Sequence, residues 1–258
     1  MIGAAIETTG LTKIYGDTRA VVDLGLSVER GEIFGFLGPN GAGKTTTIRM
    51  LLALQRPTRG RATVLGADPC SDPRSIHART GYLPGELSLL PHLSARRHID
   101  WFARARRLDG HGSATELIER FDVVLDRPLR ELSKGNRQKI GLVLAFMHRP
   151  DLLVLDEPTS GLDPLMQDEF GRLVREVADG GATVFLSSHE LDEVQRLADR
   201  VAIIRAGELV TMGTVASLRA STPERIIARF ARPVDRTCSM RSKVSPSPRP
   251  GRTAWSSR

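Results

Sequence analysis

An α/β fold built on a mostly parallel sheet is predicted by two observations. Short apolar runs of the kind buried on both faces recur along the chain: Ile33 to Leu37, Leu152 to Leu155, Thr183 to Leu186 and Val201 to Ile204. Between such runs lie stretches with apolar residues at helical spacing, and that alternation marks strands joined by crossover helices. With 258 residues, 40% hydrophobic and 26% charged, the chain has enough apolar surface for one large domain and too little length for two well-separated enzymes.

Taken in order, Ile33 to Leu37 runs into a glycine-rich turn, as a strand feeding a sharp turn should. From about Gly81 to Pro150 no comparable buried strand occurs. The pattern there is helical, with a loop at Asp109 to Ser113, and reads as a helical insert over about 81–150. Leu165, Phe170, Leu173, Val174, Val177 and Ala178 fall at helical spacing, with Pro164 suited to the first turn and Gly180 to the stop. The folded domain is expected over 2–222. Ile226 to Phe230 suits one more strand, the start of a truncated accessory region at 223–235, and beyond Asp235 no apolar periodicity remains.

The formal charge of +7 invites a nucleic-acid reading, but its location argues otherwise. Arg236, Arg241, Lys243, Arg249, Arg252 and Arg258 follow Asp235 with no acid among them, so residues 1–235 are close to neutral. No nucleic-acid partner is expected. The segment 236–258, rich in Ser, Pro and Arg, reads as a disordered basic tail. Its composition is what an out-of-frame reading of a GC-rich gene gives, and a frameshift near Asp235 is the expectation; a natural tail docking on anionic lipid is the rival. The longest apolar run, Leu142 to Met147, is far short of a membrane span, and Met1 to Thr9 lacks the features of a secretory signal. Cys70 and Cys238, far apart and in no metal-ligand spacing, fit a reducing compartment, and the chain is read as cytoplasmic.

The strongest chemical signal is Gly38, Pro39, Asn40, Gly41, Ala42, Gly43, Lys44, Thr45, a phosphate-loop pattern between a strand and a helix. Its glycines let the backbone wrap a phosphate so that successive amides and the helix N-terminus face the anion. Lys44 then reaches the terminal phosphates and the Thr45 hydroxyl is placed to ligate Mg²⁺, with Thr46 beside it. A chance glycine-rich turn would not need that strand and helix. Asp156 and Glu157 close the run Leu152 to Leu155, where a parallel strand delivers catalytic groups. Asp156 is expected to orient the metal and Glu157 to polarise the attacking water; without a phosphate loop nearby, the pair would read as a solvated turn.

Together with Leu132, Ser133, Lys134, Gly135 and Asn136, followed by Arg137, Gln138 and Lys139, these residues resemble the ATP-binding cassette (ABC) nucleotide-binding subunits. The resemblance covers roughly residues 2–220. It implies a P-loop NTPase (RecA-like) core with an N-terminal antiparallel β part and a helical insert, and ATP with Mg²⁺ as cofactors. Ser133, Lys134, Gly135 and Asn136 stand where the family's signature loop closes on the γ-phosphate held by a second cassette in a head-to-tail dimer; alone, Ser133 would be a helix cap. Asp163, in Ser160, Gly161, Leu162, Asp163, resembles the family's D-loop and also suits an N-cap before Pro164. His189 matches the switch histidine that contacts the γ-phosphate and helps position Glu157. Tyr15 occupies the place of the adenine-stacking aromatic, with packing near the N-terminal strands as the other reading.

Two departures from the family's pattern stand out. Gly81 to Glu86 reads Gly-Tyr-Leu-Pro-Gly-Glu, so Gly85 replaces the usual glutamine, and Glu86 is the nearest substitute. Lys134 and Asn136 replace the commonest Gly and Gln of the signature. Tyr82 to Leu93 resembles exporter-type cassettes serving drug, antibiotic or lipid efflux. That implies a separate membrane subunit, a homodimer in the ATP-bound state and a peripheral place on the cytoplasmic side of the membrane. A soluble cassette acting on DNA or ribosomes shares the phosphate chemistry, but such proteins join two cassettes or carry long coiled coils. A regulatory cassette with little turnover is suggested by Gly85 and opposed by Lys44, Asp156, Glu157 and His189.

Overall fold

The computed structural model describes residues 3–221. The chain begins with β1 (Ile6–Tyr15) and β2 (Thr18–Val28), then β3 (Ile33–Leu37), α1 (Lys44–Leu51), β4 (Arg59–Val64), α2 (Pro73–Arg79) and β5 (Thr80–Leu83). Three helices follow, α3 (Ala95–Ala105), α4 (Ala114–Phe121) and α5 (Lys134–Phe146), with a 3-10 turn at Leu129–Glu131 before the last. The rest alternates: β6 (Leu152–Asp156), α6 (Pro164–Asp179), β7 (Thr183–Ser188), α7 (Leu191–Leu197), β8 (Arg200–Arg205), β9 (Glu208–Thr214) and α8 (Val215–Ser221).

The four predicted apolar runs are β3, β6, β7 and β8, lengthened by at most two residues. They form the middle of a six-stranded sheet of order β5-β6-β7-β3-β8-β9, parallel except for β9. Every residue of β3, β6 and β7 is buried, so both faces of this sheet are covered, which is why these strands read as continuous apolar runs. Phe185 of β7 stacks on Phe34 of β3 at 5.8 Å between ring centroids and lies 5.4 Å from Phe36. The N-terminal antiparallel part is a separate sheet of order β2-β1-β4, and its Ile6, Leu24 and Val64 share one buried cluster with Phe36, Ile48 and Phe185.

Local chemistry sets the element ends. Asp163 accepts from the Met166 amide at 3.0 Å, Pro164 opens α6 and Gly180 caps it. Arg120 of α4 forks onto Glu176 of α6 at 2.5 and 2.8 Å and also reaches Glu169, tying the helical segment to the α/β part.

One expectation is corrected. The stretch from Gly81 does contain a sheet strand, since Thr80–Leu83 pairs in parallel with Leu152–Leu155, so the helical segment starts after Leu83. Four residues, one of them glycine, carry no aliphatic run to announce a strand. The glycine is nonetheless required: a Cβ at position 81 would lie 2.1 Å from the Ala145 carbonyl oxygen of α5. The expected strand at Ile226 to Phe230, the accessory region and the basic tail lie outside the described residues.

Gly81→Val therefore forces α5 off β5 and should destabilise the protein by about 1–3 kcal/mol. Urea unfolding measures this, and a parental midpoint would mean that the α5 to β5 contact yields without cost.

Candidate active site

At the end of β3 the chain turns through residues 38–43 into α1. Gly43 makes the turn possible: its φ is +106°, and a Cβ there would lie 2.4 Å from the Ala20 carbonyl oxygen. α1 then starts without a side-chain cap and without an acid in its first turn, a terminus suited to an anion. Pro39, Asn40, Gly41, Ala42, Gly43, Lys44, Thr45 and Thr46 line a cleft of about 530 Å³. Lys44 is only 6% exposed, and its ammonium donates to the carbonyls of Gly38 at 2.7 Å and Pro39 at 3.3 Å. Buried cations need such acceptors.

Across the cleft stands the end of β6. The Thr45 hydroxyl donates to Asp156 Oδ2 at 2.7 Å, while the buried Ser187 hydroxyl at the end of β7 donates to Oδ1. Glu157, one residue on, has left-handed backbone with φ +52°, an uncommon conformation for a residue with a Cβ. Its amide is held by the Ser187 carbonyl at 3.1 Å, and the resulting turn aims the side chain into the cleft. Glu157 Oε1 lies 3.3 Å from Lys44 Nζ, and His189 Nδ1 meets Oε2 at 2.8 Å. The structure thus brings together Lys44, Thr45, Asp156, Glu157 and His189.

The signature segment lies outside this cleft. Ser133 caps α5, its hydroxyl accepting from the Asn136 amide at 3.2 Å. A Cβ on Gly135 would lie 2.6 Å from the Gly161 carbonyl oxygen, so the start of α5 rests on the loop after β6. Lys134 Nζ donates to Ser160 Oγ at 2.7 Å, and Gln138 Nε2 donates to the Pro158 carbonyl at 2.8 Å. The lysine that departs from the family's pattern is engaged with its own chain.

Tyr15 is not among the cleft-lining residues; its hydroxyl bonds Gln55 at 2.5 Å and Lys13 Nζ sits 5.1 Å over its ring. Thr18, Arg19, Ala20 and Arg49 line the cleft without having been singled out from sequence, and Tyr82, Pro84 and Ser160 from the quoted motifs line it as well. Arg49 follows Thr45 by one helical turn, a spacing that could have flagged it. Burial, and then the Asp156 carboxylate, pushes the Tyr82 hydroxyl above its usual range. A Cβ at position 85 would lie 3.4 Å from the Asp156 carboxylate, so Gly85 occupies a place facing that acid and brings no side chain, while exposed Glu86 lines the same cleft.

The sequence profile of the family described as "ABC transporter" matches residues 21–160. The daunorubicin/doxorubicin resistance ATP-binding protein DrrA of Streptomyces peucetius is 40% identical over 231 residues, 86% of this chain and 69% of that protein. The bacitracin transport ATP-binding protein BcrA of Bacillus licheniformis is 40% identical over 210 residues, 80% of this chain and 68% of its own length. Among solved structures, an ATP-binding subunit of an ABC transporter superposes with a TM-score of 0.77 at 30% identity, covering 84% of this chain and 92% of the other. A dimeric ATP-binding cassette in a post-hydrolysis state, bound to ADP and phosphate, shares the fold, with a TM-score of 0.74 at 21% identity over 81% of this chain and 98% of that one. A phosphate loop, a cap-and-lysine helix start and an acidic strand end in this order, within that profile and at those identities, place the chain in the ABC transporter family, as an ATPase cassette.

Proposed function

We propose that this cassette is the ATP-hydrolysing subunit of an exporter, driving a drug, antibiotic or lipid through a membrane subunit made as a separate polypeptide. The observation that carries the hydrolytic part is Glu157 held between Lys44 at 3.3 Å and His189 at 2.8 Å, at the mouth of the phosphate-loop cleft. Glu157 takes the proton of the attacking water as it adds to the γ-phosphorus, and the bond to the β-phosphate oxygen breaks, leaving ADP and phosphate. Lys44 and the first-turn amides of α1 hold the phosphates, and His189 orients the carboxylate. Thr45 and Asp156 are hard oxygen donors 2.7 Å apart and fit Mg²⁺, which when bound neutralises phosphate charge. Ser133 and Gly135, which do not line the cleft of their own chain, would serve the nucleotide of a second copy, with Lys134 and Asn136 bracing that helix start and Asp163 on the adjoining loop.

The transport part is supported by the likeness to resistance and antibiotic-transport proteins and by the surface of the helical segment. No helix among the described residues is long and apolar enough to cross a membrane. A groove of about 650 Å³ in which Leu89, Leu90, Leu93, Trp101 and Phe102 are rimmed by Arg97, Asp100 and Arg104 leaves Trp101 65% and Leu90 54% exposed, an apolar surface with a charged rim suited to a membrane subunit's cytoplasmic face. Docking there places the cassette at the cytoplasmic side of the membrane.

Three outcomes are expected. Glu157→Gln should lower kcat for ATP by about 10²-fold or more while ATP affinity stays within about twofold; near-parental steady-state turnover removes Glu157 from the base role. Lys44→Ala should instead weaken ATP binding by about tenfold or more, measured by calorimetric titration, because it deletes a charge-assisted contact. Trp101→Asp should release the cassette from membranes of the producing cells on sedimentation with its basal ATPase intact, and unchanged sedimentation would point to another docking surface.

A further inference from the structure

The two loops that carry Glu157 and His189 are joined by a side chain that neither the phosphate nor the metal chemistry uses. Glu193, on α7, is 5% exposed. Its Oε1 accepts from the Thr159 hydroxyl at 2.8 Å, and its Oε2 accepts from the buried Ser188 hydroxyl at 2.5 Å. Thr159 follows Glu157 by two residues in the loop after β6, and Ser188 immediately precedes His189 at the end of β7. The Ser188 hydroxyl also accepts from the Glu190 amide at 3.0 Å, which fixes the turn that His189 occupies.

A carboxylate is a costly group to bury, and both of these partners are neutral hydroxyls, not a cation. Burial pushes the Glu193 carboxyl above its usual range; the bonds from Ser188 and Thr159 oppose that shift, and the charges of Glu190 and Glu157 add to it. What an ionised carboxylate adds is two acceptor atoms on one rigid plane, able to take a hydroxyl from each loop at once.

We infer that Glu193 is a positioning residue for ATP hydrolysis, clamping the loop that bears Glu157 to the loop that bears His189 so that their 2.8 Å contact is preset. The inference rests on the reading of Glu157 and His189 as the hydrolytic pair. The far side of the same loop is held by Gln138 and Lys134 from α5, so with Glu193 in place the segment from Glu157 to Ser160 is fixed from two directions. Placement of this kind acts on the chemical step and leaves nucleotide binding alone, because the phosphate loop is anchored elsewhere.

The test is steady-state ATPase of the full chain against ATP concentration for Glu193→Ala, Glu193→Gln, Thr159→Val and the Glu193→Ala/Thr159→Val double variant, with thermal melting alongside and Glu157→Gln as reference. Glu193→Ala should lower kcat by about tenfold or more with KM for ATP within about twofold. Glu193→Gln keeps an acceptor and a hydrogen-bonding plane and should recover most of the loss. Thr159→Val should show part of it, and the double variant should be no slower than Glu193→Ala alone. Parental kcat in Glu193→Ala and Thr159→Val below their melting temperatures, or additive losses, overturns the clamp. If Glu193→Ala does not fold, Glu193→Gln and Thr159→Val decide: the clamp stands if Thr159→Val loses kcat alone and falls if kcat is parental. Turnover retained in Glu157→Gln overturns the hydrolytic reading itself, whereas a silent Glu193 series beside an inactive Glu157→Gln overturns only the clamp.

Discussion

The in-register parallel pairing of β3, β6 and β7 is the constraint on which the site depends. Leu37 pairs with Ser188, and Asp156 pairs with Ser187, so three strands end at one level. Parallel strands point their carboxyl ends the same way, so the phosphate loop, the Asp156–Glu157 pair and His189 leave the sheet side by side. A slip of one residue along β6 would turn Asp156 to the other face of the sheet and break its contacts with Thr45 and Ser187. Complete burial of these strands is what prevents such a slip, because any other register would present polar ends to an apolar interior.

On this frame the site holds charge where water is scarce. Lys44 and Asp156 are both nearly inaccessible, and each is met by groups fixed by backbone geometry: the Gly38 and Pro39 carbonyls for the lysine, the Thr45 and Ser187 hydroxyls for the acid. Glu157 is reached through a left-handed residue, a conformation that costs of order 1–3 kcal/mol and persists only where the surroundings fix it. The surroundings here are the Ser187 carbonyl on its amide, Lys44 and His189 on its carboxylate, and Gln138 on the next carbonyl. Strain at this residue is balanced by stability drawn from the sheet, consistent with a group held for chemistry and not for packing.

What sequence made legible follows the same physics. Fully buried parallel strands announce themselves by composition, and loops that bind phosphate require glycines and a lysine at fixed spacing, so β3, β6, β7, β8 and the residues from Gly38 to Thr46 were readable. β5 was missed because a short edge strand with Gly81 at its heart takes its stability from α5 and β6 and not from its own side chains. Tyr15 could not be placed, because whether a tyrosine faces a cleft or bonds a neighbour such as Gln55 depends on a contact forty residues away. Glu193 was invisible for the same reason: on a helix that continues Asp-Glu, an acid reads as solvated until the fold puts Thr159 and Ser188 over it.

The two departures from the family's pattern bear on neighbouring places, position 85 on the end of β6 and position 134 on the loop that follows it. At position 85 a glycine faces the Asp156 carboxylate and brings no side chain to it. At position 134 the chain has gained a side chain, and the lysine bonds Ser160 in the loop that begins at Glu157. A lysine in the first turn of a helix is disfavoured by the helix dipole, by about 0.3–1 kcal/mol, so its bond to Ser160 and its packed stem against Gly161 must outweigh that cost. The helical segment therefore holds the site through α5, where Lys134 bonds Ser160 and Gln138 bonds the Pro158 carbonyl of the loop after β6.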